Sequence, residues 1–391
     1  MNAWQAFGVT LRSVLHDKGA VLPAVLGGIL YCFFYPLPYL PQTVRHVPIA
    51  VADYDASPLS RQFERDLDAT PDVQVKAVVS TVQEAVPLLQ RLEIGGIIAI
   101  PPDFWRDVMR GSPTGVTVMS DGGYIVVDGT VLSTTANVLL SDAAEAVPHT
   151  AELIAAHIPP DVLMRAAHAG PVLVKQPLFN TVQGYESYVV PASMGLIVHQ
   201  LLLIGICIVI GTWIEAGRWS IAPGGTLTPG AFFGMVAAFS LLAWCALLFW
   251  IGFVFWFHDL PRAGNLAAAI TVGALYAVAI GALGVVLGCW MADRERALQI
   301  IGSISIPLLF LSGFAFPVES IPHPVVWLSY LLPSTHGIQA MLKFNQMGAS
   351  WYEARFEVFR LLFLTAAYVA LAWILARRRA GGQRSQAIAM P

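Results

Sequence analysis

Two kinds of side chain in this sequence invite a chemical reading: carboxylates that follow short apolar, β-branched runs, and imidazoles set in long apolar stretches. Asp53, Tyr54 and Asp55 follow Val47 to Ala52, and Asp121 and Asp128 follow Val116 to Met119. Acids at the carboxyl edge of a sheet can bind a cation or a polar ligand, because loops gather there. They serve equally as turn and cap residues, and that reading takes precedence. Of the nine histidines none has metal-ligand spacing, since neither His-Glu-x-x-His nor Cys-x-x-Cys occurs. His199 beside Gln200 differs, because it stands in the middle of an apolar stretch long enough to cross a membrane. Polar groups at that depth face the interior of a helix bundle, so the pair either lines a path or makes interhelical hydrogen bonds. His336, after Pro333-Ser334-Thr335, reads as a helix-cap residue. A Gly-x-Ser-x-Gly elbow is absent, and Ser312 lacks the preceding glycine of an intramembrane serine protease. No Gly-Lys dipeptide exists to build a phosphate-cradling loop. The chain is therefore expected to hold no catalytic residue, metal or cofactor, and any ATP-driven work needs another subunit.

The elements that must position these side chains are dictated by lipid. A hydrocarbon core about 30 Å thick offers peptide groups no partner, so a crossing takes roughly 20 apolar residues wound into a helix. Ala20 to Leu40, Ser187 to Ile214, Ala231 to Phe257, Ala263 to Ala292 and Ala297 to Val318 hold no Asp, Glu, Lys or Arg. A further stretch, Phe356 to Ala376, carries Glu357 and Arg360 in its first turns, where they can sit at the interface, and then runs apolar. Ser320 to Leu342 is also free of charge, but Pro322, Pro324 and Pro333 interrupt it. Proline removes a backbone donor, so this segment reads as short re-entrant or interfacial helices.

Lys and Arg in short flanking segments set the orientation. With the N-terminus inside, Arg12, Lys18, Arg218, Arg294, Arg296, Arg377, Arg378, Arg379 and Arg384 fall inside, against Arg262, Lys343 and Arg355 in the short outer pieces. Both termini are thus expected in the cytoplasm, with the chain in a cell inner membrane and its long hydrophilic block exported. The chain is 56% hydrophobic and 12% charged with net charge -3, which leaves no footprint for nucleic acid. Cys32, Cys207, Cys245 and Cys289 all lie in expected spans, so the exported block must be held by packing and not by disulfides. Lys18 before an apolar run mimics a secretory leader, but Pro36, Pro38 and Pro41 follow it with no small-residue cleavage site, and it reads as an uncleaved anchor. Ahead of it Trp4, Phe7, Leu11 and Val14 recur on one helical face, which fits a helix lying on inner-leaflet lipid.

The exported block alternates strands and helices. Val47 to Ala52 is a first strand, Ser57-Pro58 starts a helix, and Val73 to Val78 is a second strand. Thr81 to Glu93 is a second helix with Thr81 and Glu84 in capping-box register. Gly95 to Ile100 is a buried third strand, followed by a short helix from Asp103 to Met109, and Val116 to Met119 is a fourth strand. From about Ile125 to Ala156 the pattern is helical. The fold class is therefore a polytopic α-helical membrane protein of six transmembrane helices with an inserted α/β extracytoplasmic domain. Its parts are an interfacial helix (1–19), a first span (20–40), the extracytoplasmic domain (41–186), a transmembrane domain of helices 2–6 with a re-entrant segment near 320–342 (187–376), and a cytoplasmic tail (377–391).

This layout resembles the permease subunit of ABC-2 type exporters, in the branch with an enlarged loop after the first helix. The resemblance covers essentially the whole chain and rests on Val51 to Ser60, Ile94 to Phe104, Leu311 to Pro317, Ile321-Pro322 and Leu331 to Thr335. It implies an exporter of a small or amphipathic substrate, driven by a separate ATPase subunit that binds ATP and Mg. It also implies a second permease subunit, identical or a paralogue, and a periplasmic adaptor where the cell has an outer membrane. In that family the cytoplasmic loop after the second span docks on the ATPase. Here the matching residues are Glu215, Gly217, Arg218 and Trp219, with Arg218 where the family usually has Thr. His199 and Gln200 would then belong to the substrate path, and Pro322, Pro333 and His336 to an external gate. Independently of the resemblance, Trp213 to Gly230 joins two spans that would move relative to one another. Its Glu, Arg and Trp either transmit force to a partner or anchor helix ends at the interface. Asp293 to Arg296 reads as a topology determinant with local ion pairs. The alternative function is a non-transporting receptor or secretion accessory protein acting through the exported domain, which would not need Glu215 or its neighbours.

Overall fold

The computed structural model describes residues 1–37, 44–110, 115–120, 125–154, 185–217, 219, 221–222, 226–260, 262, 264–312 and 322–389. The chain divides into two compact units, Met1–Gln42 with Pro177–Pro391, and Thr43–Gln176. The first unit opens with α1 (Ala3–His16), started by a capping box between Asn2 and Gln5. Its inward stripe is Ala6, Thr10 and Val14, while Trp4 is exposed and stacks on Phe7 at 5.4 Å. Val14 thus leaves the apolar face expected for this helix and packs inward. At Asp17 the chain bends by 83° into α2 (Lys18–Val21), a π-helical stretch (Leu22–Gly27) containing Pro23, and α3 (Gly28–Phe34).

The second unit holds β1 (Val47–Asp53), α4 (Pro58–Asp68), β2 (Val73–Val79), α5 (Val82–Gln90), β3 (Gly96–Ile100), α6 (Phe104–Arg110), β4 (Thr117–Ser120) and α7 (Ile125–Ile154). The sheet order is β2-β1-β3-β4, with β1 parallel to β2 and β3, and β4 antiparallel to β3. Central β1 and β3 are apolar almost throughout because both of their faces are covered, whereas edge strand β2 alternates. On one face Val47, Ile49 and Val51 meet Phe63 and Leu67 of α4; on the other Ala50 and Ile97 meet Ala85 of α5. Ser57 caps α4 and Pro58 opens it, as the spacing predicts. The expected capping box at α5 does not form. Glu84 N–H is bonded to the Thr81 carbonyl, and the Glu84 carboxylate accepts from Ser80 N–H at 3.2 Å instead.

The first unit resumes with α8 (Tyr185–Glu215), α9 (Pro229–Phe249), a π-helical stretch (Trp250–Val254), α10 (Phe255–Phe257) and α11 (Leu266–Met291). After these come α12 (Arg294–Ser303), α13 (Ser305–Leu311), α14 (His323–Tyr330), α15 (Pro333–Asn345) and α16 (Arg355–Ala389). Among the described residues four stretches are long and apolar enough to cross a membrane: Glu186–Glu215, Pro229–Phe257, Leu266–Met291 and Arg355–Gly381. The bent pair Ala3–His16 with Lys18–Phe34 makes five if it counts as one span. The span in α8 is 89% buried and that in α16 only 22%, so α8 is the centre of the bundle and α16 its periphery. α11 packs against α8, α9, α15 and α16. Its Gly284 and Gly288 meet Ile206 and Ile210 so closely that a Cβ would stand 2.8 and 2.9 Å from them. Small residues of this kind let membrane helices approach where no hydrophobic force joins them.

The stretch expected as a straight span, Ala297 to Val318, is broken instead. Ile304 leaves helical geometry between α12 and α13. Pro307 explains the break, because its ring collides with the carbonyl four residues earlier, on Ser303. Residues 313–318 lie outside the described residues. Pro191 sits inside α8 without breaking it, and the Ser187 carbonyl it frees accepts from the Gln346 carboxamide at 3.1 Å.

Candidate functional site

α8 ends in Thr212 and Glu215, and both turn toward the junction of α11 and α12. α11 stops where Ala292 adopts left-handed geometry, and Asp293 opens α12 by accepting the Glu295 and Arg296 amides at 2.8 and 3.2 Å. The Arg296 amide, then that of Glu295, holds the Asp293 carboxyl below its ordinary value. The Arg294 amide, an orphan donor of the first helical turn, donates to Glu215 Oε1 at 2.8 Å. The Arg294 guanidinium reaches Asp17 Oδ1 at 3.3 Å, and Thr212 Oγ1 donates to Asp17 Oδ2 at 3.2 Å. Asp17 also caps α2 through Gly19 N–H at 2.9 Å. One carboxylate thereby fastens the bend after α1, the end of α8 and the α11–α12 junction together. Gly211 permits the approach: a Cβ there would stand 2.6 Å from the Arg294 nitrogen. The arrangement holds no reactive group, and what it can do is carry a displacement from one helix end to two others.

The residues expected to dock an ATPase divide. Glu215 is exposed, yet one of its oxygens is committed to Arg294. Gly217 is exposed with φ 65, the left-handed geometry that ends helices. Trp219 is buried, its ring 6.0 Å from that of Trp213, and belongs to the hydrophobic core of the first unit. Arg218 lies outside the described residues.

His199 and Gln200 also part company, as neighbours about 100° apart around a helix must. His199 is buried and stacks on Tyr276 of α11 at 5.9 Å. Gly337 of α15 lies against the same tyrosine, where a Cβ would stand 2.5 Å from the ring. Among the described residues neither His199 nitrogen nor the Tyr276 hydroxyl has a hydrogen-bond partner. Gln200 instead bonds Ser305 at the start of α13 through both ends of its carboxamide. Pro322 precedes α14 and Pro333 opens α15. His336 donates to the Tyr330 carbonyl at 3.1 Å and stacks on that ring, closing the end of α14 as a cap. Thr335 and Gln339 tie α15 to the end of α13 through the Leu311 and Ser312 carbonyls.

Of the acids in the second unit, Asp53 is a turn and cap residue. Asp53 Oδ1 accepts the Asp55 and Ala56 amides at 2.9 and 3.0 Å, and Oδ2 accepts from Ser60 Oγ at 2.7 Å. Tyr54 OH accepts from Val82 N–H at 3.0 Å and so caps α5. Asp128 bonds Ser120, and Asp121 lies outside the described residues. Burial pushes the nearby Glu64 carboxyl up, Asp53 adds to this, and Arg61 and Arg65 oppose it. Among the described residues no group of three or more His, Cys, Asp or Glu is arranged to hold a metal.

Sequence reasoning missed a pair at the opposite end of α8. Glu186 Oε1 and His258 Nδ1 are 3.3 Å apart, each side chain 2% exposed, and His258 Nε2 donates to the Cys32 carbonyl of α3 at 3.2 Å. It also missed Asp17 and Thr212. The signal for all of these was the same, a single polar residue at the border of an apolar run.

Apolar helices of membrane length packed around α8 in one unit, and a small mixed sheet in the other, define a polytopic membrane protein. The chain belongs to the ABC-2 family of transporter proteins, whose family model matches residues 20–377. A stretch of 83 residues is 30% identical to ABC transporter G family member 20 of Dictyostelium discoideum, covering 21% of this chain and 11% of that protein. The chain therefore spans only a small part of that relative.

Proposed function

We propose that this chain is the membrane-spanning half of an ATP-driven exporter in a cell inner membrane, moving a small or amphipathic substrate with energy from a separate ATPase. ATP and Mg bind that ATPase and not this chain. Two permease subunits, identical or paralogous, enclose the path, and a periplasmic adaptor receives cargo where there is an outer membrane. Both termini are cytoplasmic, six helices cross, with the broken α12–α13 segment supplying one crossing, and the Thr43–Gln176 unit lies outside.

The turn after α8, from Glu215 to Trp219, rests on the ATPase. What carries the reading is the polar joint of Asp17, Thr212, Glu215 and Arg294. A push on that turn reaches the bend after α1 and the start of α12 together. Displacement along α8 then bears on Tyr276, where His199 and Gly337 also meet, and so on the α14–α15 hairpin with Pro322, Pro333 and His336, the external gate. The unpartnered His199 nitrogens and Tyr276 hydroxyl support a path there, since buried polar groups without protein partners ordinarily meet water or ligand. Irregular backbone at membrane depth is tolerated where it lines a cavity.

The test is purification from native membranes. A protein with a Walker motif is expected to accompany the chain, and Glu215→Lys to release it, while Glu215→Gln, whose carboxamide oxygen still accepts from Arg294, retains it. A chain that emerges alone, with export unaffected by Glu215→Lys, overturns the proposal in favour of a receptor or secretion accessory.

A further inference from the structure

We infer that the cleft beside the π-helical stretch of the first span is a binding site for a hydrocarbon chain, and that its occupant is an acyl chain of a bilayer lipid. A cavity of about 210 Å³ lies among the first span, α8 and α9, lined by residues that include Ala24, Gly28, Val198, Leu202, Ala246 and Phe249. All of its lining residues are apolar or cysteine. The cleft has a structural cause. At Gly205 the first span touches α8 so closely that a Cβ would stand 2.6 Å from Ala24 Cβ. The π-helical stretch through Gly27 then changes the helical register, and at Gly28 an added Cβ would meet nothing within 4 Å. Local π geometry inside an α-helix frequently marks a functional site.

The chemistry of the lining selects the occupant. A buried water needs two to four polar partners, and an apolar cavity of about 150 Å³ with comparable walls stays dry and takes benzene. This cleft is larger and no more polar, so it takes hydrocarbon. It opens sideways, at Ile29 and Cys245, both lining residues and both exposed, beside the exposed Leu22 and Leu26. In a membrane that opening gives onto lipid tails. The gain on entry is dispersion contact, because an empty cleft leaves its lining atoms without neighbours. The inference rests on the membrane placement of these helices and not on how the ATPase is coupled.

The experiment uses the full chain in nanodiscs of phosphatidylethanolamine with a diazirine near the end of one acyl chain. After irradiation, adducts are mapped by peptide mass spectrometry. Peptides holding Ala24 to Cys32, Val198 to Leu202 and Leu242 to Phe249 are expected to carry several-fold more label than the peptide holding Phe359 and Phe363, which are 70% and 67% exposed on α16. Ala246→Leu and Gly28→Phe, which fill the cleft, bring the excess down to that background without changing the α16 label. Equal labelling of cleft and α16 peptides in the unaltered chain overturns the inference, and this measurement needs no variant. Displacement of the cleft label by an apolar export substrate assigns the cleft to cargo and equally overturns the lipid assignment.

Discussion

At its first turn α8 is held by buried contacts that include Glu186 against His258, each side chain 2% exposed, with His258 also bonded to the Cys32 carbonyl. At its last turn, about 45 Å away along a 31-residue helix, it is held by Asp17, Thr212, Glu215 and Arg294, and the Arg294 side chain is 39% exposed. The first arrangement is dry, and a buried polar group that loses a partner there is costly. The second shares several modest contacts with water at hand, and each can be exchanged at little cost. The comparison teaches which end can move. In the proposed mechanism the solvated joint gives and re-forms, while the buried pair keeps α3, α8 and the turn after α10 together as a pivot.

The sharpest way to break this contrast is at the pivot. His258→Ala removes the imidazole from Glu186 and from the Cys32 carbonyl at a buried site and is expected to give the largest loss of the series, read as a lowered unfolding temperature of the detergent-solubilised chain. Gly211→Val comes next. Its side chain meets Arg294 backbone, which cannot swing aside, and overpacking of this kind costs about 1–3 kcal/mol. At the joint itself Arg294→Ala should cost only about 1 kcal/mol or less, shrinking further as salt is raised. Were Arg294→Ala to destabilise as much as His258→Ala, the distinction between pivot and joint would collapse.

The smallest effect lies in the other unit. The raised carboxyl of Glu64 contributes stability that is complete below its unfolded value of 4.5 and is lost as pH rises through the folded value. Glu64→Gln should therefore raise thermal stability slightly at neutral pH, with the advantage fading below pH 4.5. An advantage that instead grew on acidification would contradict the assignment.

Much of the membrane architecture was legible because lipid forbids charge: among the described residues, the charge-free runs that start at Ala20, Ser187, Ala231 and Ala263 fall mostly on helices of the first unit. The sheet was legible through β-branched runs and through Ser57-Pro58. The break within Ala297 to Val318 was not legible from composition, since Pro307 is as apolar as its neighbours but interrupts the helix. The joint was illegible for another reason. Asp17 and Arg294 are separated by 277 positions and Thr212 stands between them, so only the fold brings them together. The bond of Glu215 to Arg294 was not legible, and Trp219, expected on the docking loop, is buried in the core of the first unit. His199 and Gln200 were paired by adjacency, which a helix undoes.

The most direct test of the central claim is a cross-link from the turn after α8. Ala216→Cys puts a thiol at an exposed position of that turn, beside Glu215 and Gly217. Treated in native membranes with a short bifunctional maleimide, it is expected to capture a subunit carrying a Walker motif, in higher yield when ATP is present. Capture of no such subunit, in cells whose export by this chain persists, would contradict the account.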